Sequence, residues 1–84
     1  MVSDQDRISN NLNKLIFFME HDMMIHIDLL NKTFYNGKIV RKVEDGVFII
    51  DDKVLGEQHI FLNEIYKVDT YRENNKEKPK FNNF

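Results

Sequence analysis

Eighty-four residues, 12 of them basic and 14 acidic, carry a net charge of −2 and leave room for one domain. The chain has no cysteine, which excludes disulfides and thiolate metal sites. No apolar run approaches the ~20 residues that span a bilayer, so no membrane segment is expected.

The first residues, Met1 to Asp6, are acidic and lack the basic segment and apolar core of a secretory signal, so a cytoplasmic protein is expected. From Ser3 to about His21 the pattern is helical. Ile8, Leu12, Leu15, Ile16 and Met19 fall on one face. Ser3 is a candidate N-cap, with Asp6 three residues on as in a capping box. Asp4 and Asp6 complement the positive end of the helix dipole. Asn10, Asn11, Asn13 and Lys14 fill the polar side, and Phe17 and Phe18 widen the apolar face near the end.

After Asp22 the period changes to two. Ile25, Ile27 and Leu29 alternate with His26, Asp28 and Leu30, which predicts a first strand. Asn31-Lys32 is a turn, and Thr33 to Val43 a long second strand. Gly37 interrupts that strand, marking a bulge, a bend or a close backbone approach. Asp45-Gly46 predicts a tight type I′ hairpin turn, which needs positive φ at both positions. Val47 to about Asp52 is the third strand, and Lys53 to Glu57 a turn around Gly56. Gln58 to Leu62 is the fourth strand. Asn63-Glu64 is a very short connection, and Ile65 to Tyr71 the fifth strand.

The domain is therefore placed at residues 1–71, with a helix over about 4–21 and strands over about 23–71. Residues 72–84 form a polar tail, rich in asparagine and lysine, with Pro79 the chain's only proline. Phe81 and Phe84 are its apolar anchors, and the tail is expected to dock through them.

Little in the chain suggests chemistry. His21, His26 and His59 are not in a recognised metal spacing. Asp51 and Asp52 are adjacent on a strand and point to opposite faces, which suits them poorly to joint acid–base work. Gly37, Gly46 and Gly56 are too far apart for a phosphate loop. A protein that is not an enzyme and needs no cofactor or metal is expected. Phe34, Tyr35, Phe48, Phe61, Tyr66 and Tyr71 lie on the expected strands. Sheet aromatics stack bases in oligonucleotide-binding barrels, but alternating ones more often fill a core.

Charge is unevenly spread. Lys32, Lys38, Arg41 and Lys42 share a stretch with no acid, whereas Glu44 to Glu64 holds six acids against Lys53 alone. An anion-binding surface is expected on the second strand or the tail.

A helix followed by five strands, with a glycine midway along the second, resembles the layout of the Sm, LSm and Hfq family. The stretch Ile27 to Ile39 carries the likeness, with Tyr35, Gly37 and Ile39 on its characteristic positions. The stretch Ile60 to Val68 is similar to the family's second motif, a strand, a tight connection and a final strand. The resemblance covers about residues 4–71. It implies a mainly β fold, an N-terminal α-helix plus a strongly bent five-stranded antiparallel Sm-like (SH3-type) barrel.

The departures lie at the ligand loops. Members that bind uridine-rich RNA carry Asp–apolar–Asn between the second and third strands, where this chain has Glu44-Asp45-Gly46. Many carry Arg-Gly between the fourth and fifth, where this chain has Asn63-Glu64. The resemblance implies a homo-oligomeric ring that binds RNA, or single-stranded nucleic acid generally. Lys32, Lys38, Arg41, Lys42 and Asn63 are the nucleic-acid candidates. Lys38 and Lys42, four apart, are expected on one face. Ile60, Leu62, Tyr66 and Val68 are expected at the subunit interface. The alternative is an Sm-like or SH3-like barrel acting as a protein interaction or scaffold module without nucleic acid.

Overall fold

The computed structural model describes residues 4–71. Helix α1 spans Asp4–Glu20 and is followed by strands β1 (Met24–Leu29), β2 (Phe34–Glu44), β3 (Val47–Asp52), β4 (Gly56–Phe61) and β5 (Ile65–Thr70). A 3-10 turn, Leu62–Glu64, joins β4 to β5. All strands lie in one antiparallel sheet of order β4-β3-β2-β1-β5. The expected helix and five strands are present. The expected docking of Phe81 and Phe84 lies outside the described residues.

α1 ends without glycine. Asp22 takes the left-handed conformation (φ 55°). Its N–H donates to Met19 O (3.2 Å) and the Met23 N–H to Phe18 O (3.0 Å). These two bonds form a Schellman cap, which satisfies the last carbonyls and turns the chain into β1. Leu15 on α1 is fully buried, and Ile8, Leu12, Phe18 and Met19 pack against the core. The core proper is Ile25, Ile27, Ile39, Phe48, Ile50, Ile60, Leu62, Ile65 and Val68. Each such side chain contributes about 1.5–3 kcal/mol by leaving water.

β2 pairs with β1 through its first half and with β3 through its second. Gly37 sits where the three strands meet, opposite both Ile25 and Asp52. A close backbone approach explains this glycine, as argued below. The register then shifts between Ile39 and Arg41, so Val40 is a bulge residue. It shifts again between Lys42 and Glu44. Bulges bend a strand and increase its twist. The β2–β3 turn departs from expectation: among its residues only Gly46 has positive φ (78°). A type I′ turn is therefore absent, and the bulge beside it takes up the difference in twist.

β4 begins at Gly56, earlier than the sequence suggests, because the β3–β4 turn is tighter. Asp52 closes it. Its carboxylate accepts from the N–H groups of Val54 and Leu55 (2.9 Å each) and, on the other oxygen, of Asn36 (2.8 Å).

The strand aromatics mostly do not fill the core. Phe48 is fully buried and Tyr35 packs against the core, but Phe34, Phe61 and Tyr66 are exposed. A small core built on isoleucine leaves them at the surface.

Candidate nucleic-acid interface

The two outer strands, β4 and β5, are not paired with each other among the described residues. Hydrogen bonds in an antiparallel ladder alternate between one side of a strand and the other. The Leu62 N–H donates to Gly46 O (2.8 Å). Carried along the β3–β4 register, that parity turns the backbone groups of Glu57, His59 and Phe61 away from β3. The Tyr71 N–H donates to Met24 O (3.0 Å). The β1–β5 register then turns the backbone groups of Val68 and Thr70 outward. The sheet thus ends in two open edges, each marked by an exposed aromatic, Phe61 (43 % exposed) and Tyr66 (57 %).

Of the four expected interface residues, Ile60, Leu62 and Val68 point into the subunit's own core, and Tyr66 alone presents its side chain outward. The core needs those three, and it is their exposed neighbours that line the edges.

α1 lies along β5. Arg7, Asn11 and Lys14 are spaced four and three apart, which puts them on one helix face. The Arg7 guanidinium donates to Ile65 O (2.5 Å). The Asn11 amide donates to Ile65 O (3.2 Å) and Tyr66 O (3.4 Å). The Lys14 ammonium donates to Val68 O (3.3 Å). Asn11 belongs to the polar side of the helix by sequence. It is only 4 % exposed, because its amide supplies the donor those carbonyls need.

Beside this seam a cleft of about 470 Å³ is lined by Arg7, Asn10, Lys14, Leu30, Tyr66 and Lys67. A second, of about 510 Å³, shares Leu30, Tyr66 and Lys67 with it and adds Asp28 and Lys32. Tyr66 is therefore flanked by four cations. Asp4 offsets Arg7 (3.7 Å) and Asp69 offsets Lys67 (3.4 Å). The sequence reading found only Lys32 and Tyr66 here. The others are far apart in the chain, and the 3,4 spacing of Arg7, Asn11 and Lys14 was the one signal that could have joined them.

The remaining candidates are scattered. Lys38 pairs with Asp22 (3.3 Å), Arg41 with Glu57 (3.9 Å) and Lys42 with Asp45 (3.2 Å). Lys38 stands opposite Asp51 and Lys42 opposite the core residue Phe48. Directly opposed residues share a face, so Lys38 and Lys42 lie on opposite faces. The Val40 bulge inserts one residue between them and reverses the alternation. Asn63 is elsewhere, in a cleft of about 300 Å³ with Ile8, Asp45, Gly46, Val47 and Phe61. That cleft does join the two loops singled out by the resemblance.

On the outer face His26 is held between two oxygens, its ring nitrogens 2.5 Å from Asn36 Oδ1 and 2.9 Å from Asp28 Oδ1. It also packs beside the Phe34 ring at 5.3 Å. Among the described residues no group of three or more histidines or acids is placed to hold a metal ion. No helix among them is long and apolar enough to cross a membrane.

No family model matches the sequence. No curated protein matches it either. The structure is nonetheless similar to a solved one, the crystal structure of an Hfq protein from Anabaena sp.. The TM-score is 0.59 at 13 % identity, over 74 % of this chain and 97 % of that one. At that identity the likeness concerns the fold, and with the helix, the five-stranded order and the bent β2 in place, the chain has the Sm-like fold.

Proposed function

We propose that this chain assembles with itself into a closed ring and binds single-stranded RNA on the face that carries α1. The observation that carries the reading is the pair of open edges on opposite ends of one sheet. An uncovered edge invites another strand, and the β4 edge of one copy complements the β5 edge of the next. A head-to-tail contact repeated by rotation closes into a ring. The Sm-like fold of the Hfq structure supports the same arrangement.

The ligand reading draws on Tyr66. An exposed ring offers a stacking platform for a base, and Lys32 and Lys67 offer counter-charges to its phosphates. Each subunit presents weak contacts, and repetition around a ring multiplies them into avidity. On this reading the chain is a cytoplasmic binding protein, not an enzyme.

The test is mass by light scattering, together with anisotropy of a fluorescent oligouridine over a range of salt. A ring whose affinity falls steeply with salt is expected, because bound phosphates release counterions. An assembled ring that ignores oligonucleotide at low salt favours a scaffold role. One observation suits that second reading: Val54 is 87 % exposed and Leu55 62 % exposed on the turn closed by Asp52, beside Phe34.

A further inference from the structure

The stripe on α1 has a consequence for the β5 edge. Val68 O points outward, toward where a neighbouring strand pairs. It is already occupied by the Lys14 ammonium at 3.3 Å. Arg7 and Asn11 hold carbonyls nearer the start of β5, on Ile65 and Tyr66. In the single subunit α1 therefore caps three carbonyls of the otherwise open edge, one of the ways proteins blunt an open strand.

The three donors differ in how firmly they are placed. Asn11 is buried, and the Arg7 side chain is largely so. Lys14 is exposed, on a flexible stem, and reaches Val68 O, an outward carbonyl in the regular part of the β1–β5 ladder. Lys14 also lines the cleft around Tyr66 and Lys67.

The geometry points to Lys14 as a removable guard that couples assembly to anion binding. A second copy's β4 strand donates a backbone N–H to Val68 O and displaces the ammonium. The freed ammonium turns into the Tyr66 cleft, where it adds a cation for the phosphate of a single-stranded nucleic acid. The cation-rich site is then complete only in the assembled protein. Binding couples both ways, so nucleic acid must also promote assembly. This inference rests on the ring reading above.

The test compares the parent with Lys14→Met, which keeps the stem and removes the donor, and with Lys14→Arg, which restores a donor. Light scattering is followed from low micromolar to millimolar concentration. Removing one charged donor from the edge is expected to lower the midpoint concentration of assembly by roughly several-fold. The assembled Lys14→Met protein binds fluorescent oligouridine several-fold more weakly, with a shallower salt dependence. Lys14→Arg behaves like the parent. An unchanged or raised midpoint in Lys14→Met overturns the guard, and easier assembly with unchanged affinity overturns the coupling.

If the parent stays monomeric throughout, the ring reading falls by itself. Lys14→Met then decides the guard: assembly of that variant alone upholds it, and a variant that also stays monomeric overturns it.

Discussion

A Cβ placed on Gly37 would stand 2.0 Å from the carbonyl oxygen of Asp51, across the β2–β3 ladder. The obstacle is backbone, with the Asp51 carbonyl carbon at 2.7 Å, so no side chain can move aside. The tight approach brings β1, β2 and β3 together at one point and lets the long β2 strand serve two partners.

Gly37→Ala is accordingly expected to destabilise the fold by on the order of 3 kcal/mol. That corresponds to a drop of about 15 °C in melting temperature for a domain of this size. Gly46→Ala is the comparison. Its Cβ meets nothing within 4 Å, and only the positive φ of 78° is strained. That change should cost about 1 kcal/mol. Equal melting temperatures for the two variants would show that the approach at Gly37 is not limiting.

Asp52 gives a pH dependence with a definite sign. Burial pushes its carboxyl up, but the N–H groups of Leu55, Asn36 and Val54 together outweigh that, and the net effect holds it below its ordinary value of 3.8. A carboxyl depressed in the folded state stabilises the fold above the unfolded value. That contribution is lost as pH falls through the lower, folded value. Thermal melts between neutral pH and the acid range should lose stability in that window. Asp52→Ala leaves three N–H groups without this acceptor and should cost on the order of 3 kcal/mol at neutral pH. It should also flatten the acid limb. An Asp52→Ala melt as pH-sensitive as the parent's would assign the acid loss to other carboxylates.

The elements were legible because hydrophobic period is a local signal. The change from 3.6 to 2 near Asp22 divides α1 from β1, and Asp45-Gly46 divides β2 from β3. The bulge at Val40 was not legible. It sits in the run Ile39-Val40-Arg41-Lys42-Val43, with no glycine or proline to mark it, and is fixed by how β2 must bend over the core. Missing it put Lys38 and Lys42 on one face. The acid-free stretch misled for a related reason. Its partners come from outside the stretch, Asp22 and Asp45 from turns and Glu57 from β4. The edge cover by Arg7, Asn11 and Lys14 was visible only as a spacing, since the carbonyls it serves are more than fifty residues away.

Charge reversal should therefore separate two sets of lysines. Lys32 and Lys67 line the Tyr66 cleft together. Lys38 and Lys42 face opposite ways and cannot act together on one strand, and an acid lies beside each of them as Asp69 does beside Lys67. Exposed ion pairs of that kind are worth roughly 0–1 kcal/mol, so reversing them should hardly change stability. The double change Lys32→Glu and Lys67→Glu should weaken oligouridine binding by roughly tenfold or more at low salt. The double change Lys38→Glu and Lys42→Glu should do much less. Tyr66→Ser should weaken binding while Tyr66→Phe preserves it, because a stacking platform needs the ring and not the hydroxyl. Anisotropy titrations at one fixed salt rank all four variants. If the Lys38 and Lys42 pair proves the more damaging, the ligand lies on the β2 surface instead.

Proline placed along β4 tests the edge itself. Proline lacks the N–H, so it is tolerated in a strand only where that N–H faces away from the ladder. The β3–β4 register pairs Gln58 with Ile50 and His59 with Ile49. By the parity set by Leu62 and Gly46, Gln58 bonds inward to β3, whereas the backbone groups of His59 face the open side. His59→Pro should then keep the subunit folded and remove a donor that a neighbouring β5 needs. Gln58→Pro should break the β3–β4 ladder and cost stability outright. The expected pattern is a monomeric His59→Pro protein with near-parental circular dichroism, and a Gln58→Pro protein that melts much lower or fails to fold. Light scattering and thermal melts read both. A His59→Pro chain that still forms the parental oligomer would place the subunit contact somewhere other than β4. A Gln58→Pro chain as stable as the parent would show that the parity is reversed, and the open side of β4 would then be the one that carries Gln58.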